Sequence, residues 1–179
     1  MFKITLGALA LVLSLGQAGA ATTASRLTFV GDALVAKPGS PGTEGNAIEF
    51  GPHNETDENW TRRVGYRAFL DSKQSASEAA AALGRETRER FPGSAPRLYE
   101  RGSEAVVEFA LAAADGTTEY NLFRYAAGPG GRGLVSLHYA RRLRGKDLRA
   151  MPRQAPRWAA EIARFDMDRV RAAFDQPRG

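Results

Sequence analysis

The chain contains no cysteine in 179 residues. That absence excludes disulfides, thiolate nucleophiles and thiolate-ligated metals, so stability has to come from burial alone. Histidine is nearly absent: His53 and His138 are the only two and lie far apart in the chain, which is no metal-ligand spacing. Lysine is scarce as well. Of 25 lysines and arginines only Lys3, Lys37, Lys73 and Lys146 are lysine, a bias expected of a GC-rich coding sequence. No internal repeat of fixed period and no extended low-complexity block is present. What remains is ordinary for one globular domain: 43% hydrophobic and 25% charged residues.

The one long apolar run, Ile4 to Leu15, follows a single charge at Lys3 and ends at Ala18-Gly19-Ala20. A cationic start, a short apolar stretch and an A-x-A-like site describe a cleavable secretory leader. The run is too short for a membrane anchor, which needs about 20 apolar residues. No cysteine follows it to accept a lipid, and no paired arginine precedes it. The expectation is a signal peptide over 1–20 and one exported domain over 21–179, periplasmic or secreted, with no membrane span after cleavage. Cleavage removes only Lys3 among the charges, leaving a net of +4.

Hydrophobic periodicity then predicts the elements. "RLTFVGDALVAK" reads as strand material, followed by the turn cluster "PGSPGTEGN" with its acid Glu44, and "AIEFGP" reads as a short strand. Thr56 or Asp57 is placed to cap a single helical turn before Trp60. "WTRRVGYRAFL" alternates, with Trp60, Val64, Tyr66, Ala68 and Leu70 on one face and Arg62 the exception. Ser75 to Glu78 has capping-box spacing for a helix carrying Ala79, Ala80, Leu83, Thr87 and Phe91 on one side, stopped by Pro92 and Pro96. "EAVVEFALAA", "EYNLFRYAA" and "LVSLHYARRL" read as three strands, the first two joined by a hairpin turn at Asp115-Gly116. A second helix is expected in "APRWAAEIARFDMDRVRAAF", started by Pro156, closed by Pro177 and striped with Trp158, Ile162, Phe165, Val170 and Phe174.

Gly128, Gly130 and Gly133 match the dinucleotide-binding spacing G-x-G-x-x-G. That motif works by leading into a helix whose free N–H groups face the anion. Here Val135, Leu137 and Tyr139 follow at period two, Pro129 removes a donor, and no acid lies about 20 residues on. The loop is expected to be a hairpin connection.

The predicted fold class is α+β, a central antiparallel sheet packed by two amphipathic helices in an α/β/α sandwich-like arrangement. The order and spacing of "WTRRVGYRAF", the helix ending "RERFPG", the strands "EYNLFRY" and "LVSLHY" and the closing helix with Trp158 and Phe165 resemble the Mog1/PsbP-like group. The resemblance spans about Ala47 to Phe174 and implies a non-enzymatic binder or assembly factor. It assigns no functional residue.

Charge is uneven along the chain. Glu44, Glu49, Glu55, Asp57 and Glu58 cluster without a base, whereas "RRLRGKDLRAMPRQAPR" holds seven bases against Asp147, and it is expected to be a linker between the last strand and the last helix. Arg141, Arg142, Arg144, Lys146 and Arg149, with Arg132 at the glycine loop, are therefore the candidate contacts for an anionic partner. The expected partner is a protein or an anionic envelope component. Export separates the chain from nucleic acid. No cofactor, metal site or catalytic set is read. Ser136 and His138 share a strand face about 7 Å apart, too far for a serine–base pair, and the paired acids, Glu119 with Asp115 among them, have surface or capping explanations. Three readings stay open: a binding or assembly module, an immunity or inhibitor protein against an exported toxin, and a hydrolase using His138 or a carboxylate pair.

Overall fold

The structure, a computed structural model, describes residues 26–37 and 47–175. The leader over 1–20, the turn cluster with Glu44 and the closing Pro177 lie outside the described residues. Eight strands form one antiparallel sheet in the order β1-β2-β3-β4-β8-β7-β6-β5. They are β1 (Arg26–Phe29), β2 (Asp32–Lys37), β3 (Ala47–Gly51), β4 (Arg62–Phe69), β5 (Arg97–Arg101), β6 (Glu104–Ala112), β7 (Thr118–Ala127) and β8 (Leu134–Leu143). The helices are α1 (Ala76–Arg90), α2 (Gly145–Arg164) and α3 (Met167–Ala172). The α+β class and the antiparallel sheet thus stand as expected.

The topology is two four-stranded meanders joined at a seam. Strands β1 to β4 turn back and forth, α1 then carries the chain to the far edge, and β5 to β8 meander back until β8 pairs with β4 from Arg62↔Arg141 to Phe69↔Leu134. "RLTFVGDALVAK" is not one strand but a hairpin, turned by Val30 and Gly31 at positive φ, the pair of conformations a tight hairpin needs. "RLYER", for which no element was predicted, forms the edge strand β5. Residues 53–59 make turns instead of a helical turn. Thr56 Oγ1 does accept from Glu58 N–H at 3.3 Å, yet the Thr56 N–H is taken by Asn59 Oδ1 at 2.6 Å, which closes a turn.

One face of the sheet carries the larger core. Leu27, Phe29, Leu34, Phe50, Val64, Tyr66, Leu122, Val135, Leu137 and Tyr139 pack there against Trp158, Ile162, Met167, Val170 and Phe174 of the C-terminal segment. The other face packs α1, whose Ala76, Ala80 and Leu83 lie on Ala105, Val107, Phe109, Tyr125 and Leu134. Small residues on α1 bring its backbone close to the sheet. Its capping box is formed in both directions: Ser75 Oγ accepts from Glu78 N–H, and Glu78 accepts from Ser75 N–H at 2.7 Å.

The C-terminal helix differs from expectation at both ends. It begins at Gly145, so the basic linker is the first half of α2, with Pro152 and Pro156 inside the helix. Both prolines are exposed, so the carbonyls they leave without a partner meet water, while Leu148, Met151 and Ala155 extend the apolar stripe onto the sheet. The helix also stops at Phe165, and Asp166 caps α3 through its carboxylate and the Asp168 N–H at 3.0 Å. Arg124 of β7 fixes that break. Its Nη1 donates to the carbonyls of Ile162, Ala163 and Phe165 at 2.9, 3.1 and 2.8 Å, and its Nε donates to Glu104 at 2.8 Å. A cation among the last carbonyls of a helix satisfies groups that have no partner within the helix and opposes the negative end of its dipole.

The glycine loop makes a 3₁₀ turn at Pro129–Gly131 and leads into β8, as the alternation requires. Two of its glycines are steric necessities. A Cβ on Gly133, at φ +60°, would fall 2.3 Å from the Phe69 carbonyl oxygen, and one on Gly128 would fall 2.1 Å from that of Arg132.

Candidate functional site

The six basic residues singled out in the sequence do not form one patch. Arg132 is exposed at the start of β8, and the other five lie at or beyond its end, about 30 Å away at 3.3 Å per residue. Adjacent residues of a strand point to opposite faces, and this separates Arg141 from Arg142. Arg141 turns toward α2, its guanidinium 4.9 Å from the Trp158 ring centroid and its Nε buried without a hydrogen bond. Arg142 turns to the α1 side and lies 4.3 Å over Trp60, while its Nη1 donates to the Glu58 carbonyl at 3.2 Å. Arg144, just before α2, pairs with Asp115 and donates to Thr117 Oγ1. The hydrogen bonds from Thr117, and after them Arg144, hold the Asp115 carboxyl below its usual range. These three arginines are engaged by groups of the protein itself, Arg144 at the surface.

Lys146 and Arg149 face water on α2, and the helix adds Arg153 and Arg157 to them. At about 100° per residue, Lys146, Arg149, Arg153 and Arg157 fall within a stripe roughly 80° wide. That stripe is opposite the one formed by Leu148, Met151, Ala155, Trp158 and Ile162. At 1.5 Å per residue it is about 16 Å long. Among the described residues none of these four cations makes an ion pair, whereas Arg62, Arg63, Arg90, Arg97, Arg124, Arg144, Arg164 and Arg171 all do. The helix that the sequence reading shortened is therefore the element that aligns them.

A second polar group lies on the part of the α1 face that α1 leaves open. Phe109, Phe123 and His138 stack across β6, β7 and β8, with 3.9 Å between the Phe123 and His138 centroids. Asn121 Nδ2 donates to Glu119 Oε1 at 3.3 Å, which orients its Oδ1 toward His138 Nε2 at 2.9 Å and makes that nitrogen the protonated one. Burial, with Arg67 and Arg63 adding to it, lowers the His138 pKa to about 3. Burial raises the Glu119 carboxyl, opposed by Asn121, Arg142 and Arg63. Beside them Arg63 bridges Glu49 at 3.1 Å and Asp57 at 2.6 Å, and Arg67 lies 4.0 Å from Glu49.

Asn121 ties Glu119 to His138. The His138 ring is neutral at physiological pH, a weak base, and its N–H is spent on Asn121. Ser136 Oγ is buried on the same strand face with no hydrogen-bond partner, and no hydroxyl is bonded to the imidazole. The arrangement holds the sheet together and offers no activated nucleophile. Among the described residues there is also no group of three or more His, Asp or Glu able to hold a metal ion, and no helix long and apolar enough to cross a membrane. Period-two alternation in β7 and β8 aligns Glu119, Asn121 and Phe123 with His138 and Arg142, but the pairing of the two strands was needed to bring them together. No protein-family model matches the chain, and no curated protein matches it significantly.

Proposed function

We propose that the protein is an exported, non-enzymatic binding module that recognises an anionic component of the cell envelope through the solvent face of α2. The carrying observation is the line of Lys146, Arg149, Arg153 and Arg157 on one solvent face of α2, none of which makes an ion pair among the described residues. Unpaired cations held in line on a rigid helix keep their full charge for an external anion and lose little conformational freedom on binding. The leader pattern in residues 1–20 supports the location. The apolar face of α2 is occupied by the sheet, so binding is electrostatic and falls with added salt.

The test is sedimentation of the protein with vesicles containing phosphatidylglycerol, with neutral vesicles as control and a soluble linear polyphosphate as competitor. Retention on anionic vesicles only, competed by polyphosphate and lost when Lys146, Arg149, Arg153 and Arg157 are all replaced by glutamine, is the expected result. Equal retention of that variant overturns the assignment to α2. Finding the leader uncleaved on cytosolic protein overturns the location.

A further inference from the structure

β5 is the outer strand of the second meander, and all five of its residues are exposed. Beyond it, among the described residues, one row of backbone N–H and C=O groups has no strand to pair with. Natural edges are commonly guarded by charge, and Arg97, Glu100 and Arg101 supply it here. They flank an apolar centre instead of replacing it. Leu98 and Tyr99, 42% and 47% exposed, are the large hydrophobic residues most open to water among those described.

Register sorts these side chains. Arg97, Tyr99 and Arg101 lie opposite Glu108, Val106 and Glu104, and so project together on the α2 side of the sheet. Leu98 and Glu100 project on the α1 side, where Glu100 is bonded to Ser77 of α1. The α2-side row therefore reads cation, aromatic, cation at period two. Glu108 is nearly buried and already accepts from Tyr99 Oη at 3.1 Å, while Arg97 stands 4.0 Å from it with its side chain 70% exposed. Past the end of the strand, Arg101 is also one wall of an open groove whose other side carries Arg164 and Phe165. Glu104 in that groove is taken by Arg124 and Arg164 is paired with Glu161, so the unpaired charge the groove presents among the described residues is that of Arg101.

We propose that β5 is a docking edge for an extended acidic segment of a partner protein, added as a ninth strand with the pattern acid–x–apolar–x–acid. The ladder supplies affinity through backbone hydrogen bonds, and side chains at period two supply selection. In that register the apolar residue sits on Tyr99, the two acids sit opposite Arg97 and Arg101, and the chain leaves along the groove toward Arg164. Cross-strand neighbours are about 5 Å apart, within reach of both ion pairs. The proposal does not depend on the α2 stripe, which lies on another element and takes its anion without a strand.

The experiment titrates the protein with a capped heptapeptide, Thr-Glu-Val-Leu-Val-Glu-Thr, and with its twin carrying lysine for both glutamates, read by amide hydrogen exchange. The acidic peptide is expected to slow exchange at the Arg97–Arg101 amides and leave those of β1 unchanged, and the lysine twin to bind about tenfold more weakly. In a double variant, Arg97→Glu with Arg101→Glu, that preference inverts. Both positions are exposed, and circular dichroism verifies that the variant keeps the fold. No protection up to about 1 mM peptide, equal binding of the two peptides, equal protection of β1, or a preference unchanged in the double variant overturns the proposal. So does protection of β5 that grows with protein concentration alone, which assigns the edge to a second copy of the chain.

Discussion

On the α2 side of the sheet Phe29, Tyr66, Tyr120, Tyr139, Trp158 and Phe165 interlock with ring centroids 5.0 to 6.1 Å apart, and beside them Arg62 pairs with Asp32 while Arg141 lies over the Trp158 ring. On the α1 side a helix of small residues covers only part of the sheet, and the remainder is a polar layer of Glu119, Asn121, His138, Arg63 and Glu49. The first side derives its stability from area removed from water. The second derives it from satisfied hydrogen bonds, which contribute little net but cost much when one partner is lost. The sheet has one side that tolerates only changes of similar volume and another that tolerates changes preserving donors and acceptors.

Four measurements break or sharpen that contrast. The largest effect is expected for Trp158→Ala, which empties a site only 2% exposed between two tyrosines and should cost about 3–5 kcal/mol in urea unfolding. Next is Arg124→Ala. It leaves Glu104 and three helix-end carbonyls without their donor and should cost about 3 kcal/mol, with hydrogen exchange rising first at the α2–α3 junction. Equal stability of this variant would show that the junction is held by packing alone.

The third concerns pH and belongs to the polar side. His138 has a folded pKa of about 3 against an ordinary 6.5. Well above 6.5 the ring is neutral whether folded or not, and its contribution is complete. As pH falls from there toward 3, only the unfolded chain takes the proton, so stability declines by up to about 1.4 kcal/mol per unit. Glu119, whose pKa is raised, works the other way, because the folded state takes its proton first as pH drops. Between pH 6.5 and 5 the histidine slope should dominate and should flatten in His138→Gln. Parallel profiles for the two proteins would mean that the ring is not held neutral. The smallest effect is expected for Ser75→Ala, about 1 kcal/mol through loss of the α1 cap, with fraying confined to the first turn.

Much of this was legible in the sequence. Alternation located β4, β6, β7 and β8, the Ser75–Glu78 spacing located the start of α1, and the strand after Gly133 identified the glycine loop as a turn. The stripe of Trp158, Ile162, Val170 and Phe174 is buried as the periodicity requires. The misses have physical causes. Pro152 and Pro156 argue against a helix unless the stripe extends behind them, and Leu148, Met151 and the small Ala155 are a weak signal there. "RLYER" carries no buried face, so burial periodicity has nothing to register. Arg124 sits among apolar neighbours in β7 and reads as a lapse in the pattern. Its meaning depends on α2, far along the chain. The basic stretch reads as a linker in the sequence, whereas the helix beginning at Gly145 separates engaged cations from free ones.

The strand that completes the sheet is also the last one made. β8 enters between β4 and β7, and its partners across the seam stand roughly seventy residues earlier in the chain. Until Leu143 has left the ribosome, the first meander ends in an open strand and the second has no neighbour to join. A nascent chain of this design has no finished half in which to become trapped early. The sheet therefore stays open at its centre until the final third of the chain is available.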